Sequence, residues 1–572
     1  MPTLFSRVLF VLILFLAVCA PCAAQAPPSC TTNVLQTPLG WICGIRASVT
    51  VPGKAPAVTV SEFLGIPYAQ PPVRWKNPVA LSIPAWSGTY KAIQLGSICA
   101  QNSTPAAVNC SFTGSEDCLF LNIYVPGNAT AGSNLPVMVF IHGGAFVSGA
   151  GSDYDGSQLA ASGNVIVVTF NYRLGPLGFL ALAGTDASNS NVGFRDQIMA
   201  LQWVKSYISS FGGDAANVTI FGESAGAMSV GLHALVSPPS RGLFQNALME
   251  SNLLGLPYKS LSEAEAFGAE LSTSVGCAGS SNPASCMGQQ SAQGLVCAQV
   301  GSSMSIFLAG LRAGLVWAPA IDNSVITGQP MVSAGAGGLT VPMVLGTNLN
   351  EGTLFAVLSE QQAQAAQKPF GSPAYTGFIK SMFGPNAPGA LTRYPCLTAD
   401  CTQPLSRLLT DYLFTCANRN LAKTATARTS SRNLYLYQFA RVPPQGCNVR
   451  PNISECASQV CHGQELIYVF DQPQNVQGGG CAFGTTNPGD QTLSNDIAAY
   501  WSNLAIGRTP NASGLFGWPA FAPSGSYLVL DQNLSTAHVV ATDSKCDFWD
   551  RVGYDLTTWF STPQTRSLKG KK

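Results

Sequence analysis

Charged side chains are scarce in this chain of 572 residues, at 10% against about 25% in typical soluble domains. The formal net charge is +1, and neither a basic stripe nor an acidic tail is present. Because proteins bind nucleic acid mainly through clustered Lys and Arg, we expect no nucleic-acid partner. The solubility of such a surface must depend on Ser, Thr, Asn, Gln and Gly, or on attached sugars.

Long apolar runs are also lacking, apart from one at the N-terminus. Residues Val8–Val18 are wholly apolar, Arg7 precedes them, and small residues follow at Ala23, Ala24 and Ala26. A basic start, an apolar run too short to cross a bilayer and a small-residue cleavage site are typical of a secretory signal peptide. We therefore predict a signal peptide at residues 1–24, no transmembrane segment in the mature chain, and secretion.

Metal-binding cysteine motifs are absent from the mature chain. Two of the 18 Cys lie in the signal segment, and the other 16 are scattered without a Cys-x-x-Cys pair. In an exported protein this usage favours disulfides over a metal site, so we expect no metal. Some of the seven Asn-x-Ser/Thr sites are expected to carry glycans, with Asn217 the most doubtful. The sites are Asn102, Asn109, Asn128, Asn217, Asn452, Asn511 and Asn533.

Neither internal repeats nor linkers divide the chain, and its periodicity favours an α/β fold. Short, continuous apolar runs are typical of strands that are covered on both faces, and helical periodicity occurs between them, as at Gln197–Ile208. The predicted strands are Pro136–Ile141, Val165–Phe170, Val218–Phe221, Met343–Leu345 and Leu434–Phe439. We predict one domain over residues 25–572, with a large, mostly parallel central sheet flanked by helices on both faces. The Ala-, Gly- and Ser-rich stretch Ser333–Gly338 is predicted to be a surface loop.

The strand Val218–Phe221 runs into Gly222-Glu223-Ser224-Ala225-Gly226, and a helix-forming stretch follows. This order of strand, Gly-x-Ser-x-Gly and helix is typical of a nucleophile elbow. The Ser of an elbow lies on a strained turn, so its neighbours two positions away must be small. We predict that Ser224 is the nucleophile; the alternative is a structural turn.

A glycine-rich turn, His142-Gly143-Gly144-Ala145-Phe146, follows the strand Val137–Ile141. Such a turn allows backbone N–H groups to approach a developing oxyanion without a side chain in the way. Elbow hydrolases combine it with the N–H that follows the nucleophile. We therefore predict an oxyanion hole formed by Gly144, Ala145 and Ala225, with His142 supporting the turn.

Histidine is scarce, and the four in the chain restrict the choice of a general base. His142 belongs to the glycine-rich turn, and His233 lies about 13.5 Å from Ser224 along the same helix. Elbow hydrolases order the triad along the chain as Ser, acid and His, which leaves His462 and His538. We favour His462, which lies in a loop ahead of an apolar stretch.

The acid of the triad must come from ten carboxylates between Ser224 and His462. Glu351 follows the strand Met343–Leu345 and a turn. A carboxylate just beyond the end of a strand faces the same sheet edge as the elbow. We predict that Glu351 is the acid; the alternative is a solvated loop residue.

These motifs, together with several others, resemble the type B carboxylesterases and lipases, also known as the cholinesterase-like family. The resemblance extends over nearly the whole mature chain. Besides the elbow, it is carried by Phe63–Ala69 with Pro71-Pro72, Glu116–Asn122, Asn171–Gly175, Phe211–Asp214, Asn350–Gly352 and His462-Gly463.

The resemblance implies an α/β-hydrolase fold and a carboxylic ester hydrolase. It implies a triad of Ser224, Glu351 and His462 that acts through an acyl-enzyme, without a cofactor, on a small-molecule or lipid ester. It also implies the disulfides Cys99–Cys118, Cys416–Cys546 and Cys277–Cys286, with Cys297 as the alternative partner of Cys277. Cys461 precedes the base and is interpreted as part of a disulfide that fixes the histidine loop. Pairing stays open for Cys30, Cys43, Cys110, Cys297, Cys396, Cys401, Cys447, Cys456, Cys461 and Cys481.

The loop between Cys99 and Cys118 differs from that of the cholinesterases, which hold a quaternary ammonium against a Trp there. Its 18 residues contain one aromatic side chain, Phe112, so we expect no choline specificity. A loop this short favours a soluble ester over an oil droplet. The alternatives are a lipase or sterol-ester hydrolase of the same family, and a non-catalytic cholinesterase-like binding protein. Such binding proteins usually lack the Ser, the His or the oxyanion glycines.

Overall fold

The structure, a computed structural model, describes most of the chain after residue 32. The described residues are 33–52, 56–103, 110–127, 129–184, 190–298, 315–337, 339–365, 371–428, 433–449, 453–472, 481, 483, 487–522, 525–538 and 544–554. The predicted signal peptide at 1–24, Cys30 and the glycosylation sites Asn109, Asn128 and Asn452 lie outside the described residues.

The described part contains eighteen strands and sixteen α-helical segments. The strands are β1 Val34–Thr37, β2 Gly40–Cys43, β3 Ile45–Val49, β4 Val58–Pro67, β5 Thr89–Lys91, β6 Gln101–Asn102, β7 Phe112–Thr113, β8 Phe120–Pro126, β9 Leu135–Ile141, β10 Ile166–Phe170, β11 Gly213–Glu223, β12 Asn246–Glu250, β13 Lys259–Ser260, β14 Ala320–Ile321, β15 Met343–Asn348, β16 Leu434–Phe439, β17 Ser526–Leu530 and β18 Ser535–His538. The helices are α1 Ser157–Gly163, α2 Gly175–Phe179, α3 Val192–Tyr207, α4 Ala225–Leu235, α5 Leu261–Ser274, α6 Pro283–Gly288, α7 over the described residues 292–298, α8 Pro330–Gly335, α9 Gly352–Ala365, α10 Ser372–Phe383, α11 Ala387–Arg393, α12 Thr402–Leu409, α13 Cys416–Arg428, α14 Leu466–Val469, α15 Pro488–Gly507 and α16 Ser544–Val552.

Eleven of the strands form one central sheet in the order β18-β17-β16-β15-β12-β11-β9-β10-β8-β4-β3. The seven strands from β17 to β10 in this order are mutually parallel, and the strands outside them at both edges are antiparallel. The predicted mostly parallel sheet is therefore confirmed. All five predicted strands are present: Leu434–Phe439 has the predicted bounds, and the other four differ at one or both ends.

Both faces of the sheet are buried, and β9 shows why its sequence is continuously apolar. Val137, Val139 and Ile141 pack into one hydrophobic core, whereas Met138 and Phe140 pack into a second core on the other face. All five side chains are fully buried. A parallel strand that is covered on both faces has no polar side to alternate with its apolar side.

The prediction of a loop at Ser333–Gly338 is wrong for its first part, since α8 runs to Gly335. Pro330 starts this helix, at a position where its missing N–H costs no hydrogen bond. Ala334 is fully buried, and the Ser333 hydroxyl donates to the Leu235 carbonyl over 2.7 Å. The small side chains here allow α8 to pack closely on α4, and they do not form a turn. Gly338 lies outside the described residues.

The predicted glycosylation sites differ in exposure where the structure describes them. Asn102 is 1% exposed, and its side-chain oxygen accepts from the Ser111 N–H over 2.9 Å. Asn533 is exposed at the surface. A glycan requires solvent around the asparagine, so Asn533 suits modification and Asn102 does not. No helix among the described residues is both long enough and apolar enough to cross a bilayer.

Candidate active site

Ser224 occupies the sharp turn between β11 and α4, with φ 56° and ψ −121°. A non-glycine residue in such a conformation costs about 1–3 kcal/mol, and this strain is concentrated at functional sites. A Cβ on Gly226 would lie 1.8 Å from the Ile141 carbonyl oxygen, and one on Gly222 would lie 2.5 Å from it. The two glycines therefore allow the end of β9 to lie directly against the elbow. On the other side, the Ser224 N–H donates to the Glu250 carbonyl over 3.0 Å.

The glycine-rich turn after β9 lies against this elbow. A Cβ on Gly143 would lie 3.1 Å from the Ser224 Cβ. Gly144 and Ala145 both have positive φ, at 100° and 55°. Ala225 is the first residue of α4, so its N–H has no carbonyl acceptor within the helix. The structure thus brings the turn that contains two of the predicted oxyanion donors next to Ser224, which the third directly follows.

His142 supports the turn from a fully buried position. Its Nδ1 donates to the Gly143 carbonyl over 2.9 Å, and its ring stacks on Tyr172 with centroids 4.4 Å apart. Burial lowers the pKa of His142 from 6.5 to about 4, so this imidazole is neutral at physiological pH. Its contacts agree with a supporting role.

Glu351 and His462 form a buried pair at the carboxyl edge of the sheet. Glu351 lies between β15 and α9, and His462 lies in the loop before α14. The Nδ1 of His462 donates to the Glu351 Oε2 over 2.6 Å, and the Asn348 N–H donates to Oε1 over 2.7 Å. Burial raises the pKa of Glu351, and the Asn348 N–H opposes this rise. Because Nδ1 carries a proton toward Glu351, Nε2 is the nitrogen that can act as a base.

The other ring nitrogen of His462 faces the elbow. His462 Nε2 lies 3.2 Å from Oε1 of Glu223, the residue that precedes Ser224. The rings of Phe355 and Phe414 pack against the imidazole with centroids 5.1 and 5.3 Å away. The imidazole is therefore bounded by the Glu351 carboxylate, by the elbow and by the two phenylalanine rings.

The other two histidines lie away from Ser224. His233 is fully enclosed, with Nδ1 2.7 Å from the Ser240 hydroxyl and Nε2 3.1 Å from Gln197 Oε1. Burial lowers its pKa to about 3. His538 belongs to β18, the outermost strand, five strand positions from β11 and thus roughly 24 Å away at normal strand spacing. His462 is the histidine that the structure brings to the elbow.

Four buried glutamates, one of them Glu351, cluster at the Glu351–His462 pair, and the sequence predicts only that one as a site residue. They are Glu223, Glu250, Glu351 and Glu465. The charges of all four add to burial in raising the pKa of the Tyr437 phenol. Glu223 lies at the variable position of the elbow motif and Glu250 at the end of β12, where no sequence pattern distinguishes an acid of the site from any other.

Hydrogen bonds also hold Glu250 and Glu465. The indole N–H of Trp501 donates to Glu250 Oε1 over 2.6 Å. The Ser251 hydroxyl donates to Glu465 Oε1 over 3.0 Å, and the Asn348 amide donates to Oε2. Burial, followed by the charge of Glu351, raises the pKa of Glu465 from 4.5 to about 7.

A stability profile against pH should detect this buried carboxyl. A folded-state pKa above the unfolded value means that the native state holds a proton that the unfolded chain releases. The contribution of protonated Glu465 to the free energy of unfolding is therefore complete below about pH 4.5 and is lost as pH rises through 7. Replacing Glu465→Gln removes the titration, because an amide does not ionise in this pH range. The Ser251 hydroxyl can accept from the new amide, so the hydrogen bond is kept. We expect the variant to gain on the order of 2 kcal/mol relative to wild type between pH 5 and pH 8.

Thermal unfolding across this pH range measures the effect. Glu270→Gln, on the exposed side of α5, is the control and should unfold with the wild-type pH dependence. An unchanged pH dependence in Glu465→Gln would mean that this carboxyl does not titrate between the two pH values.

The structure contains the three disulfides that the resemblance implies. They are Cys99–Cys118, Cys277–Cys286 and Cys416–Cys546. The alternative partner of Cys277 is excluded, because Cys297 bonds to Cys110 across 187 residues. Three further pairs, which the sequence left open, are Cys396–Cys401, Cys447–Cys481 and Cys456–Cys461.

The loop between Cys99 and Cys118 is thus held at several points. Within the loop, Cys110 is bonded to Cys297 of α7. Near its base, Glu116 pairs with Arg74, whose guanidinium also donates to the Gln290 carbonyl over 2.6 Å. These attachments hold the described parts of the loop, residues 99–103 and 110–118, against the rest of the protein.

The known proteins that resemble this chain match it over the stretch that contains all of these site residues. A sequence model described as the carboxylesterase family matches residues 31–549. The cAMP-regulated D2 protein of Dictyostelium discoideum is 35% identical over 506 residues, covering 86% of this chain and 89% of that protein. Human cocaine esterase is 34% identical over 521 residues, covering 86% and 87%. A solved thermophilic PNB esterase matches with a TM-score of 0.72 at 30% identity, covering 91% of this chain and 100% of that one.

Proposed function

Since this chain belongs to the carboxylesterase family and is a carboxylic ester hydrolase, we propose that it cleaves esters with a Ser224–His462–Glu351 triad through an acyl-enzyme. The predicted family resemblance, α/β-hydrolase fold and enzyme class are confirmed. The observation that carries the triad is the 2.6 Å bond from His462 Nδ1 to Glu351 Oε2, beside an elbow whose Ser224 is strained at φ 56°.

Acylation begins when the Ser224 hydroxyl attacks the ester carbonyl and His462 Nε2 accepts the hydroxyl proton. Glu351 keeps Nδ1 as the donor nitrogen and stabilises the imidazolium that forms. The N–H groups of Gly144, Ala145 and Ala225 stabilise the negative charge on the carbonyl oxygen. His462 then gives its proton to the departing alcohol, and the acyl group stays on Ser224.

Deacylation repeats these steps with water as the nucleophile. His462 Nε2 removes a proton from water, which attacks the acyl carbonyl, and then returns a proton to Ser224 as the acid leaves. The geometry supports catalysis over the non-catalytic alternative, because the nucleophile, base, acid and oxyanion turn are all present. A binding protein would have no need of a strained serine.

The tethered loop supports a soluble ester over a lipid droplet as substrate. A lipase lid must move to open its site at an interface. The loop between Cys99 and Cys118 is fastened to α7 by Cys110–Cys297 and to Arg74 by Glu116. We propose a soluble, small-molecule ester on this basis, with a lipase or sterol-ester hydrolase as the alternative. No aromatic cage for a quaternary ammonium is provided by the described part of the loop.

We propose that the protein is secreted. The seven disulfides of the described part are typical of an oxidising compartment. The N-terminal sequence supports export through a signal peptide at residues 1–24.

A panel of esters tests this function on the purified protein. We expect turnover of short-chain nitrophenyl esters, little turnover of emulsified triacylglycerol, and a single organophosphate adduct on the peptide that contains Ser224. An adduct elsewhere would overturn the assignment of the nucleophile. A rate that rises sharply above the solubility limit of the substrate would favour the lipase.

A further inference from the structure

The loop that carries His462 is closed by a short disulfide, which the catalytic steps above do not use. We propose that Cys456–Cys461, together with Asn348 and Asn350, forms a clasp that positions the His462 imidazole for proton transfer. These four residues are the histidine clasp. The inference rests on the proposed role of His462 as the base, and it assigns positioning residues to that base.

One backbone hydrogen bond and two from asparagine side chains fasten the two sides of the site to each other at the clasp. The Asn350 N–H donates to the Val460 carbonyl over 3.0 Å, and the Asn350 side-chain oxygen accepts from the Val460 N–H over 3.1 Å. The Asn348 amide donates to the Cys461 carbonyl over 2.9 Å. The bonded segments end one residue before Glu351 and one residue before His462. A shift of either segment therefore changes the separation between acid and base.

The disulfide fixes the second side of this arrangement. Cys461 is joined to Cys456, and both are fully buried. They pack with Ile453 against Val357 of α9, the helix that begins directly after Glu351. The Thr353 hydroxyl of the same helix donates to Gln459 over 2.6 Å. The histidine loop and the helix that follows the acid therefore move as one packed unit.

The size of the disulfide loop favours a local role over a global one. A disulfide stabilises a fold mainly by restricting the unfolded chain, and this effect grows with loop length. Cys456 and Cys461 are separated by five residues, whereas Cys416 and Cys546 are separated by 130. Cys456–Cys461 thus adds little to the loop-closure entropy of the whole chain. It instead limits the backbone directly beside His462.

A displaced imidazole should slow proton transfer without weakening substrate binding. A misplacement of about 1 Å in a catalytic group can cost on the order of 100-fold in rate. The clasp contributes no side chain to the carbonyl or the leaving group. Its loss is therefore expected to lower kcat and to leave KM within about twofold.

The chain offers a matched control for this test. Cys396 and Cys401 are also separated by five residues, and they lie before α12 rather than beside the base. We expect C456A/C461A to lower kcat for a short-chain nitrophenyl ester by about 10- to 100-fold. C396A/C401A should retain kcat within about twofold, with a similar change in Tm. Equal kcat in the two double variants, whether reduced or unchanged, would overturn the clasp.

A spectroscopic readout separates the clasp from the proposed function. The proton between His462 Nδ1 and Glu351 should give a low-field NMR resonance in wild type and in C396A/C401A, and it should broaden or vanish in C456A/C461A. Absence of esterase turnover in wild type would overturn the proposed function, whereas this resonance still reports on the clasp. Persistence of a wild-type resonance in C456A/C461A overturns the clasp.

Asn350→Ala provides a second variant in case C456A/C461A does not fold. It removes the side-chain acceptor of the Val460 N–H and leaves the disulfide intact. We expect a several-fold lower kcat, an unchanged KM and a weaker low-field resonance. A wild-type kcat with a wild-type resonance would contradict the clasp.

Discussion

Ser224→Ala is expected to lower kcat/KM for a short-chain nitrophenyl ester by about 10⁴-fold or more. The alanine removes the atom that becomes acylated, and water held near His462 is a much poorer nucleophile. The oxyanion turn and the binding surfaces remain, so a residual rate above that of free solution should persist. Steady-state kinetics with enzyme at high concentration measures this loss.

A control distinguishes loss of the nucleophile from loss of the fold. Ser494→Ala removes a fully buried hydroxyl, one that donates to the Tyr468 carbonyl over 2.7 Å, far from the elbow in sequence. It should keep wild-type kcat/KM, and Ser224→Ala should keep wild-type Tm. Turnover in Ser224→Ala within about tenfold of wild type would rule out Ser224 as the nucleophile.

Glu351→Gln is expected to lower kcat by about 10³- to 10⁴-fold. The Glu351 Oε2 accepts the Nδ1–H of His462. A glutamine can turn its amide toward the ring and stabilise the tautomer that protonates Nε2, which cannot then accept the Ser224 proton. It also removes the negative charge that stabilises the imidazolium. The loss should appear in kcat more than in KM.

Glu465→Gln is the control for this variant, because Glu465 is equally buried but bonds to Ser251 and Asn348 rather than to the imidazole. We expect it to retain kcat within about tenfold. Similar losses in the two variants would mean that the charge of the whole glutamate cluster matters, and not the orientation of the ring by Glu351.

The residues that are found from sequence are those that local chemistry restricts. Ser224 is recognisable because a tight turn needs Gly222 and Gly226, and the close approach of the Ile141 carbonyl explains both. His462 is recognisable as the base because the chain has only four histidines. The continuous apolar runs predicted a sheet that is buried on both faces, and the two cores confirm it.

The parts that sequence could not predict depend on contacts between distant segments. Cys110 and Cys297 are 187 residues apart, and the spacing of cysteines contains no information about which of them meet. Glu250, Ser251 and Glu465 gather at the site because β12 and the histidine loop end at the same edge. The first part of Ser333–Gly338 is helical rather than a loop, because small residues suit both turns and closely packed helices.

The close packing of β9 against the elbow has a consequence for laboratory evolution of new specificities. The end of β9 fixes the elbow through Gly222 and Gly226, and it continues directly into the turn with Gly144 and Ala145. A substitution that moves one of these segments therefore moves the other, so nucleophile and oxyanion turn cannot be altered separately by small steps. Libraries for new specificities would therefore keep both segments constant and vary residues outside them.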